Sequence, residues 1–458
     1  MDSEQQLLGL CQATANALMS LSRDQENIKS LLTNMSQIMI ETCRQAHEAR
    51  EVSEAFFSSQ KIPDKTKIRC VFMVSSIAAW DALFDLYKDM LDHNSFDPVV
   101  VSINYRTGQD QYYDGEQAVS DGLKELNIPH LRFDMEDSFF ALKILRSIAP
   151  DVIFRQTQWD ILYPPAFTSQ YLSFAKLCVV PYGISILEKY DKNSPQEDAH
   201  AISCDTPYHR GAWRIFCENE YTLHKIQDFQ HSLPEKLVLT GYPKFQALLD
   251  SPPEWPEFKR PLTNERPFRI IWAPHHSAGD TWLNFGVFHK IHHQFLNWAK
   301  NAQDIDFVLK PHPELFKSVV IRGIMTQEAV DAFLTEWNNL PNCALETKRY
   351  GGLFAASDIM ITDGISFVVE YPIFNKPLIF FDSGAHSPFN HVGKTALACA
   401  ETVHDFETMK KIASSYKDKT VTDTHKDALA DLLKILFPVN EKPSKIILEN
   451  IKESILGK

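Results

Sequence analysis

The sequence predicts an α/β protein of two doubly wound domains preceded by a helical segment. Three observations carry that prediction. From Lys67 onward, short apolar runs alternate with amphipathic helical patterns. A proline-rich break, "DSPPEWPEFKRPLTNERP", interrupts the alternation near residues 251–267, after which it restarts. The first 60 residues, by contrast, contain no proline and a single glycine, Gly9.

In that first stretch Leu7, Cys11, Leu18, Leu21, Ile28, Leu32, Met35 and Met39 keep a mixed three-and-four spacing, the seam of an amphipathic helix. Such a seam either packs on its own domain or self-associates, making a homo-oligomer through residues 1–62. Acidic residues outnumber basic ones there, which disfavours a membrane-surface helix. "KIPDKTK" reads as a linker. The next domain, 67–250, opens with "IRCVFMVSS" as a buried strand, Ala78 to Leu91 as a helix and "DPVVVSINY" as a strand. It continues with helical "GEQAVSDGLKELN", strand "PHLRFD", helical "FFALKILRSIA", and strands in "PDVIFRQ", "KLCVVPYGI", "AWRIFCEN" and "KLVLTGYP". Strands this apolar, separated by amphipathic helices, imply a parallel sheet covered on both faces.

The second domain, 267–440, repeats the pattern: "FRIIWAP" strand, "IHHQFLNWAKNA" helix, "DIDFVLKPHP" strand and "TQEAVDAFLTEW" helix. "NCALE", "GGLFAASD", "IMITDG", "SFVVEYPIF" and "KPLIFF" complete its sheet and helices. "DFETMKKIASSY" and "KDALADLLKILF" are helical, and a last helix falls within 441–458. Ligands of doubly wound sheets bind at the carboxyl ends of strands, so a site is expected in the cleft between the domains.

With 458 residues and a net charge of −13, the chain is long enough for two cores and too acidic for nonspecific nucleic-acid binding. The eight cysteines are scattered without a CxxC pair, so neither a zinc cluster nor a disulfide framework is expected. The opening "MDSEQQ" is unlike a signal peptide, and no apolar run is long enough to span a bilayer. The expectation is a cytoplasmic protein.

Three strand ends in the second domain carry polar residues that a parallel sheet brings to one crevice. They are Trp272 to Ser277, Leu309 to Glu314, and Asp363-Gly364-Ile365-Ser366 with Glu370 one turn beyond. Together they offer a cation (Lys310), imidazoles (His275, His276, His312), a hydroxyl at a helix start (Ser366) and two carboxylates (Asp363, Glu370). A nucleoside diphosphate asks for such a set. Backbone N–H groups after Gly364 hold phosphate, Lys310 or a histidine neutralises the departing diphosphate, and Glu370 accepts from ribose hydroxyls. Each has a plainer role as well: Ser366 as an N-cap, Asp363 as a turn residue, His312 packed between stiffening prolines, Glu370 solvated. The pair His275-His276 lacks a carboxylate or cysteine at ligand-like spacing, so no metal is expected.

In "IIWAPHHS", "FVLKPHPE" and "ASDIMITDGISFVVEYPIFNKPLIFF", preceded by "VLTGYPKFQALL", the chain resembles the CDP-glycerol glycerophosphotransferases, the teichoic-acid and capsule polymerases and primases. The similarity runs from about Cys178 to Phe381. It implies a GT-B fold, two Rossmann-like domains with the active site between them. It also implies transfer of an alditol phosphate from a CDP-linked donor to an acceptor hydroxyl, with CMP released. By position, Gly241, Tyr242 and Pro243 fall on the family's inter-domain loop. His312 falls on its essential histidine, Asp363 and Ser366 on its "TDYSS"-like donor-phosphate block, and Glu370 on an acid that meets the ribose. No cofactor is implied; the CDP-alditol, or another nucleotide-diphosphate donor, is a substrate. The acceptor would be a surface glycan or lipid-linked primer, with peripheral membrane association through a partner.

One motif departs from the family. Where a "WHGTP"-type stretch supplies the base histidine, this chain reads Val180-Pro181-Tyr182-Gly183-Ile184: the glycine is kept and the base position is tyrosine. A tyrosine with a pKa near ~10 is a poor base at neutral pH. His209 and Asp160 are the favoured replacements, with Glu218 a third. The departure keeps a nucleotide-sugar glycosyltransferase, a sugar-nucleotide epimerase and a non-catalytic scaffold open as alternatives.

Overall fold

The computed structural model describes residues 9–12, 31–46, 67–106, 112–188, 203–258, 266–279, 281, 283–347, 350–420 and 425–457. The chain divides into two units, 1–61 and 62–458. In the first, residues 31–46 are helical and Leu32, Ile38, Met39 and Ile40 are exposed on that helix. The predicted seam residues Leu7, Leu18, Leu21 and Ile28, and linker residues 61–66, lie outside the described residues.

The second unit holds two parallel sheets. One contains β1 (Ile68–Val74), β2 (Phe96–Ile103), β3 (Leu131–Phe133), β4 (Val152–Arg155), β5 (Lys176–Val179), β6 (Arg214–Cys217) and β7 (Leu237–Leu239), in the order β3-β2-β1-β4-β5-β6-β7. The other contains β8 (Phe268–Ala273), β9 (Ile305–Leu309), β10 (Cys343–Leu345), β11 (Ile359–Thr362), β12 (Leu378–Phe381) and β13 (Ala400–Val403), in the order β10-β9-β8-β11-β12-β13. Every pairing is parallel, and the order reverses between β1 and β4 and between β8 and β11. Crevices at such reversals are where doubly wound sheets bind ligands.

Central strands such as β9 (IDFVL) and β11 (IMIT) are buried along their whole length, because helices cover both faces. Helix Phe288–Asn301 shows the complement: Phe288, Ile291, Phe295 and Trp298 are buried, and Trp272 of β8 stacks on Phe295 at 3.9 Å between ring centroids. Several elements were not predicted, among them helices Glu220–Phe229, Pro243–Leu249, Leu315–Ile321 and His391–Leu397, and strand β13. The strand reads Ala-Glu-Thr-Val at a sheet edge, where half its positions stay partly or fully exposed and no continuous apolar run marks it. The last helix, Pro443–Leu456, is no appendage. Its Ile447, Leu448 and Ile451 enter the core beneath the first sheet beside Phe72 and Trp80.

Between the two sheets the chain makes a sealed joint. Tyr242, Phe245 and Leu248, at the end of β7 and along helix Pro243–Leu249, share a core with Phe354, Val368 and Tyr371 of the second domain. Gly241 enters this joint with φ +83°, a left-handed conformation that glycine adopts at no steric cost. On the other side of the cleft, Leu187 bridges Phe389, and Asn390 Nδ2 donates to the Ser185 carbonyl at 2.9 Å. Residues 185–188, just past Tyr182, are thereby strapped to the second domain. A Cβ at Gly393 would lie 2.5 Å from the Ile186 carbonyl oxygen, so the strap needs that glycine. Gly393→Ala is expected to cost about 1–3 kcal/mol through this overpacking. Thermal unfolding should show the drop, and an unchanged midpoint would mean that the strap yields freely.

Candidate active site

The site begins with a carboxylate at the β8–β11 reversal. Asp363, the first residue past β11, is buried, and its two oxygens accept the backbone N–H groups of His275 and Val287, both at 2.6 Å. Thr362 Oγ1 donates to the Ala273 carbonyl at 2.7 Å and accepts the Gly364 N–H at 2.9 Å. These bonds fix the turn after β8, which carries His275 and His276. The neighbouring β9 delivers Lys310 and His312, whose N–H groups donate to the Trp272 carbonyl at 2.8 Å and the Pro274 carbonyl at 3.0 Å.

Three imidazoles meet here. Ring centroids lie 4.3 Å apart for His275–His276, 4.1 Å for His276–His312 and 5.2 Å for His275–His312. One ring nitrogen from each lies within 4.8 Å of the others. Burial holds all three rings neutral: His275 falls well below the ordinary histidine range, His276 to about 4 and His312 to about 3. Lys310 is buried too, which lowers it to about 8. Its ammonium lies 5.5 Å from the Tyr350 ring centroid and makes no hydrogen bond or ion pair among the described residues. A buried cation that makes no direct ion pair among the described residues and feels only the more distant Glu346, beside three neutral imidazoles, suits an anionic ligand.

Across the cleft lies a cavity of about 260 Å³ lined by Trp159, Tyr182, Gly183, His209, Glu218 and Ser366. It joins the ends of β5 and β6 to the start of helix Ser366–Glu370, so the two domains face each other over it. Tyr182 packs edge-on against Trp159 at 5.3 Å, and burial raises its phenol well above the usual tyrosine range. Glu218 is buried, accepts from Thr222 Oγ1 at 2.5 Å, and is raised above the ordinary glutamate value by burial. His209 is lowered to about 4, again by burial.

Residues 210–386 match the family model described as CDP-glycerol:poly(glycerophosphate) glycerophosphotransferase, a segment that includes the whole Lys310–imidazole cluster. That segment is similar to the glycerophosphotransferases. Among solved structures, the fold is similar to the wall teichoic acid polymerase TagF, at 12% identity and TM-score 0.53, covering 93% of this chain and 98% of that one. It is also similar to a UDP-GlcNAc 2-epimerase from Neisseria meningitidis bound to UDP-GlcNAc, at 13% identity and TM-score 0.51, covering 84% and 100%. A putative UDP-N-acetylglucosamine 2-epimerase from Listeria monocytogenes gives 13% and 0.53, covering 86% and 98%. No curated protein matches the chain. The two Rossmann-like sheets are GT-B-like, the architecture that the glycerophosphotransferase resemblance implies.

Within this frame several expected donor contacts are placed differently. Asp363 is spent on backbone N–H groups and is a scaffold for His275 rather than a ligand. The Gly364 N–H is already bound by Thr362, so it is not free for phosphate. Glu370 is sealed: one oxygen takes Lys244 Nζ at 3.0 Å and the other Tyr350 OH at 2.6 Å, leaving nothing for a ribose. Gly241, Tyr242 and Pro243 belong to the inter-domain joint, where the resemblance puts them, with Tyr242 OH donating to the Tyr182 carbonyl, and no donor contact is assigned to them. Asp160 pairs with Arg155 Nη1 at 2.6 Å and accepts from Ser169 N and Oγ, so both oxygens are occupied and it anchors the end of β4. Ser366 is the first residue of its helix and not its cap, which is Ile365; its side chain is exposed at the cavity.

Sequence reasoning missed Lys244, Tyr350 and Ser277. The first two come from distant helices and leave no local signal. Ser277 does leave one: in His-x-Ser the hydroxyl can reach back to the ring two residues earlier, and it lies 2.8 Å from His275 Nδ1.

Rings held neutral in the fold titrate nearer 6.5 once unfolded. They therefore stabilise the native state fully above that value and lose the contribution as pH falls toward 3–4. His312→Gln removes one such ring. The acid-side loss of stability between pH 7 and pH 5 is expected to be smaller in that variant by about 1–2 kcal/mol. Parallel melting curves for variant and parent over this window would contradict the assignment.

Proposed function

We infer that this protein transfers glycerol phosphate, or a related alditol phosphate, from a CDP-linked donor to a hydroxyl of a teichoic-acid-like or capsular glycan. The observation that carries the reading is that the glycerophosphotransferase match contains Lys310, His275, His276 and His312, the unpaired donors at the β8–β11 reversal. In the reaction an acceptor oxygen attacks the β-phosphorus of the donor, and the bond to the CMP oxygen breaks, with CMP leaving on the electron pair. The chemistry depends on positioning and on neutralising charge at the phosphates. Lys310 supplies charge, the imidazoles supply directed donors, and Ser366 faces the acceptor side of the cleft.

The attacking hydroxyl must lose its proton, and geometry sorts the candidates. Tyr182 is a neutral phenol, and Asp160 has no free oxygen. His209 Nδ1 accepts the Thr206 N–H at 3.3 Å, so the proton of the neutral ring sits on Nε2, which donates and cannot accept. Glu218 remains as the carboxylate lining the cavity, and burial strengthens it as a base. Its carboxylate is the proton acceptor in this reading.

A lipid-linked primer as acceptor would place the protein at a membrane through a partner; no helix among the described residues is long and apolar enough to cross one. Leu32, Met35 and Met39 keep their three-and-four spacing on the helical residues 31–46, which supports self-association through that segment.

Calorimetry with CMP, CDP-glycerol, CDP-ribitol, UDP and UDP-sugars tests the reading. Preference for CDP-alditols, weakened in Lys310→Ala, is expected; preference for a UDP-sugar would make the chain a glycosyltransferase or epimerase instead. Glu218→Gln should lower kcat about 10²–10⁴-fold with little change in KM, and near-normal turnover would remove Glu218 from the mechanism. Deleting residues 1–61 should lower the mass in light scattering if that segment self-associates.

A further inference from the structure

Three neutral imidazoles within 4.8 Å of one another suit two opposite ligands, a metal ion or an oxyanion. The partners of their Nδ1 atoms decide between them. Ser277 Oγ accepts the Phe285 N–H at 3.0 Å, so its own hydrogen is free to point at His275 Nδ1, 2.8 Å away. The Ser277 N–H also donates to that nitrogen, at 3.3 Å. Two donors converge on one atom, which must therefore be the lone-pair nitrogen of the ring. On His312 the Glu314 N–H donates to Nδ1 at 3.1 Å, with the same consequence. A neutral imidazole carries one N–H, so both rings are Nε2–H tautomers. His276 adds an Nδ1 that is buried without a partner.

A metal ion needs the reverse polarity. Ligating histidines give the metal a lone pair and hand the other N–H to an acceptor such as a carbonyl or carboxylate. Here the second nitrogen of two rings faces donors, so metal binding through Nε2 would require a ring to lose its only proton or break its backbone contact. An oxyanion needs what the rings already offer. We propose that His275, His276 and His312 form a neutral oxyanion seat for the phosphates of the donor, with Ser277 as the positioning residue that fixes the His275 tautomer. Identifying the oxyanion as the donor's diphosphate rests on the proposed function; the polarity of the seat does not. Nearby Lys310, the cation whose field helps keep His312 neutral, supplies the charge that the rings lack.

The full-length chain labelled with 15N-histidine, and its Ser277→Ala and Ser277→Thr variants, give the test. Long-range 1H–15N spectra distinguish the two tautomers directly, and inorganic pyrophosphate and zinc ion are titrated separately. Expected for the parent are Nε2–H rings at His275 and His312 whose signals move with pyrophosphate, and no zinc bound at micromolar concentration. Ser277→Ala should mix the His275 tautomers and weaken pyrophosphate about tenfold, the scale of one hydrogen bond. Ser277→Thr, which keeps the hydroxyl, should restore both, whereas a merely structural serine would leave the tautomer unmoved. Nδ1–H rings, or stoichiometric zinc uptake that displaces ring protons, would overturn the seat. A chain with the expected tautomers that takes pyrophosphate but prefers a UDP-sugar keeps the seat and loses only the alditol reading.

Discussion

The Asp363 carboxylate is the contact on which the rest of the site depends. It sits where the strand order reverses, the one place in a doubly wound sheet where two neighbouring strand ends open away from each other. A carboxylate buried there without a cation is costly, and burial raises its pKa to about 7. Two backbone N–H groups at 2.6 Å offset that cost, and they belong to His275 and Val287, the two ends of the loop that follows β8. One side chain thus closes a loop of a dozen residues and aims its imidazoles. Because His312 hangs from the Pro274 carbonyl of the same loop, the β9 end is registered to it as well. The site is rigid because a single buried acceptor over-determines it.

The cleft has a second fixed point, the Lys244–Glu370–Tyr350 group. Both charged members are buried, so the ion pair adds little net stability against an apolar alternative; its effect is on register. Lys244 comes from the helix after β7 and Glu370 from the helix after β11, so the pair sets how one domain's strand ends meet the other's. The Tyr242 hydroxyl on the Tyr182 carbonyl and the Asn390 strap on residues 185–188 then hold the acceptor-side loop from both sides. The Tyr182 loop, where the resemblance implies a base histidine, is locked in place.

Much of this was legible in the sequence, for definite reasons. All seven strands of the first sheet and five of the second are apolar runs between helical patterns, which a buried parallel sheet requires. The crevice followed from topology, since strand ends of a parallel sheet converge. What sequence could not separate was a polar residue that faces the ligand from one that holds the residue facing it. Asp363 and Glu370 look like ligands because carboxylates at strand ends often are, yet their partners, Val287 and Lys244, sit 76 and 126 residues away. Asp160 misled for the same reason: Arg155 is only five residues off, but a buried arginine is invisible until burial is known. Edge strand β13 escaped notice because its side chains are only half covered.

The histidines show how far backbone geometry decides chemistry. His275 and His312 follow β8 and β9 and His209 lies on helix Pro207–Gly211, and in each Nδ1 accepts a backbone N–H from a residue two or three positions away. That local contact fixes the tautomer before any ligand arrives, and burial keeps the rings from protonating. Residues that composition alone would class as bases are therefore N–H donors, present on both sides of the cleft. A cleft lined in this way stabilises negative charge wherever it develops, but it has to send the acceptor's proton to a carboxylate. In the proposed reaction, Tyr182 where the resemblance implies a base histidine fits such a cleft: the tyrosine packs on Trp159, while Glu218 opens onto the same cavity. The tyrosine keeps the cleft's shape, and in the proposed reaction proton acceptance falls to Glu218, just past β6.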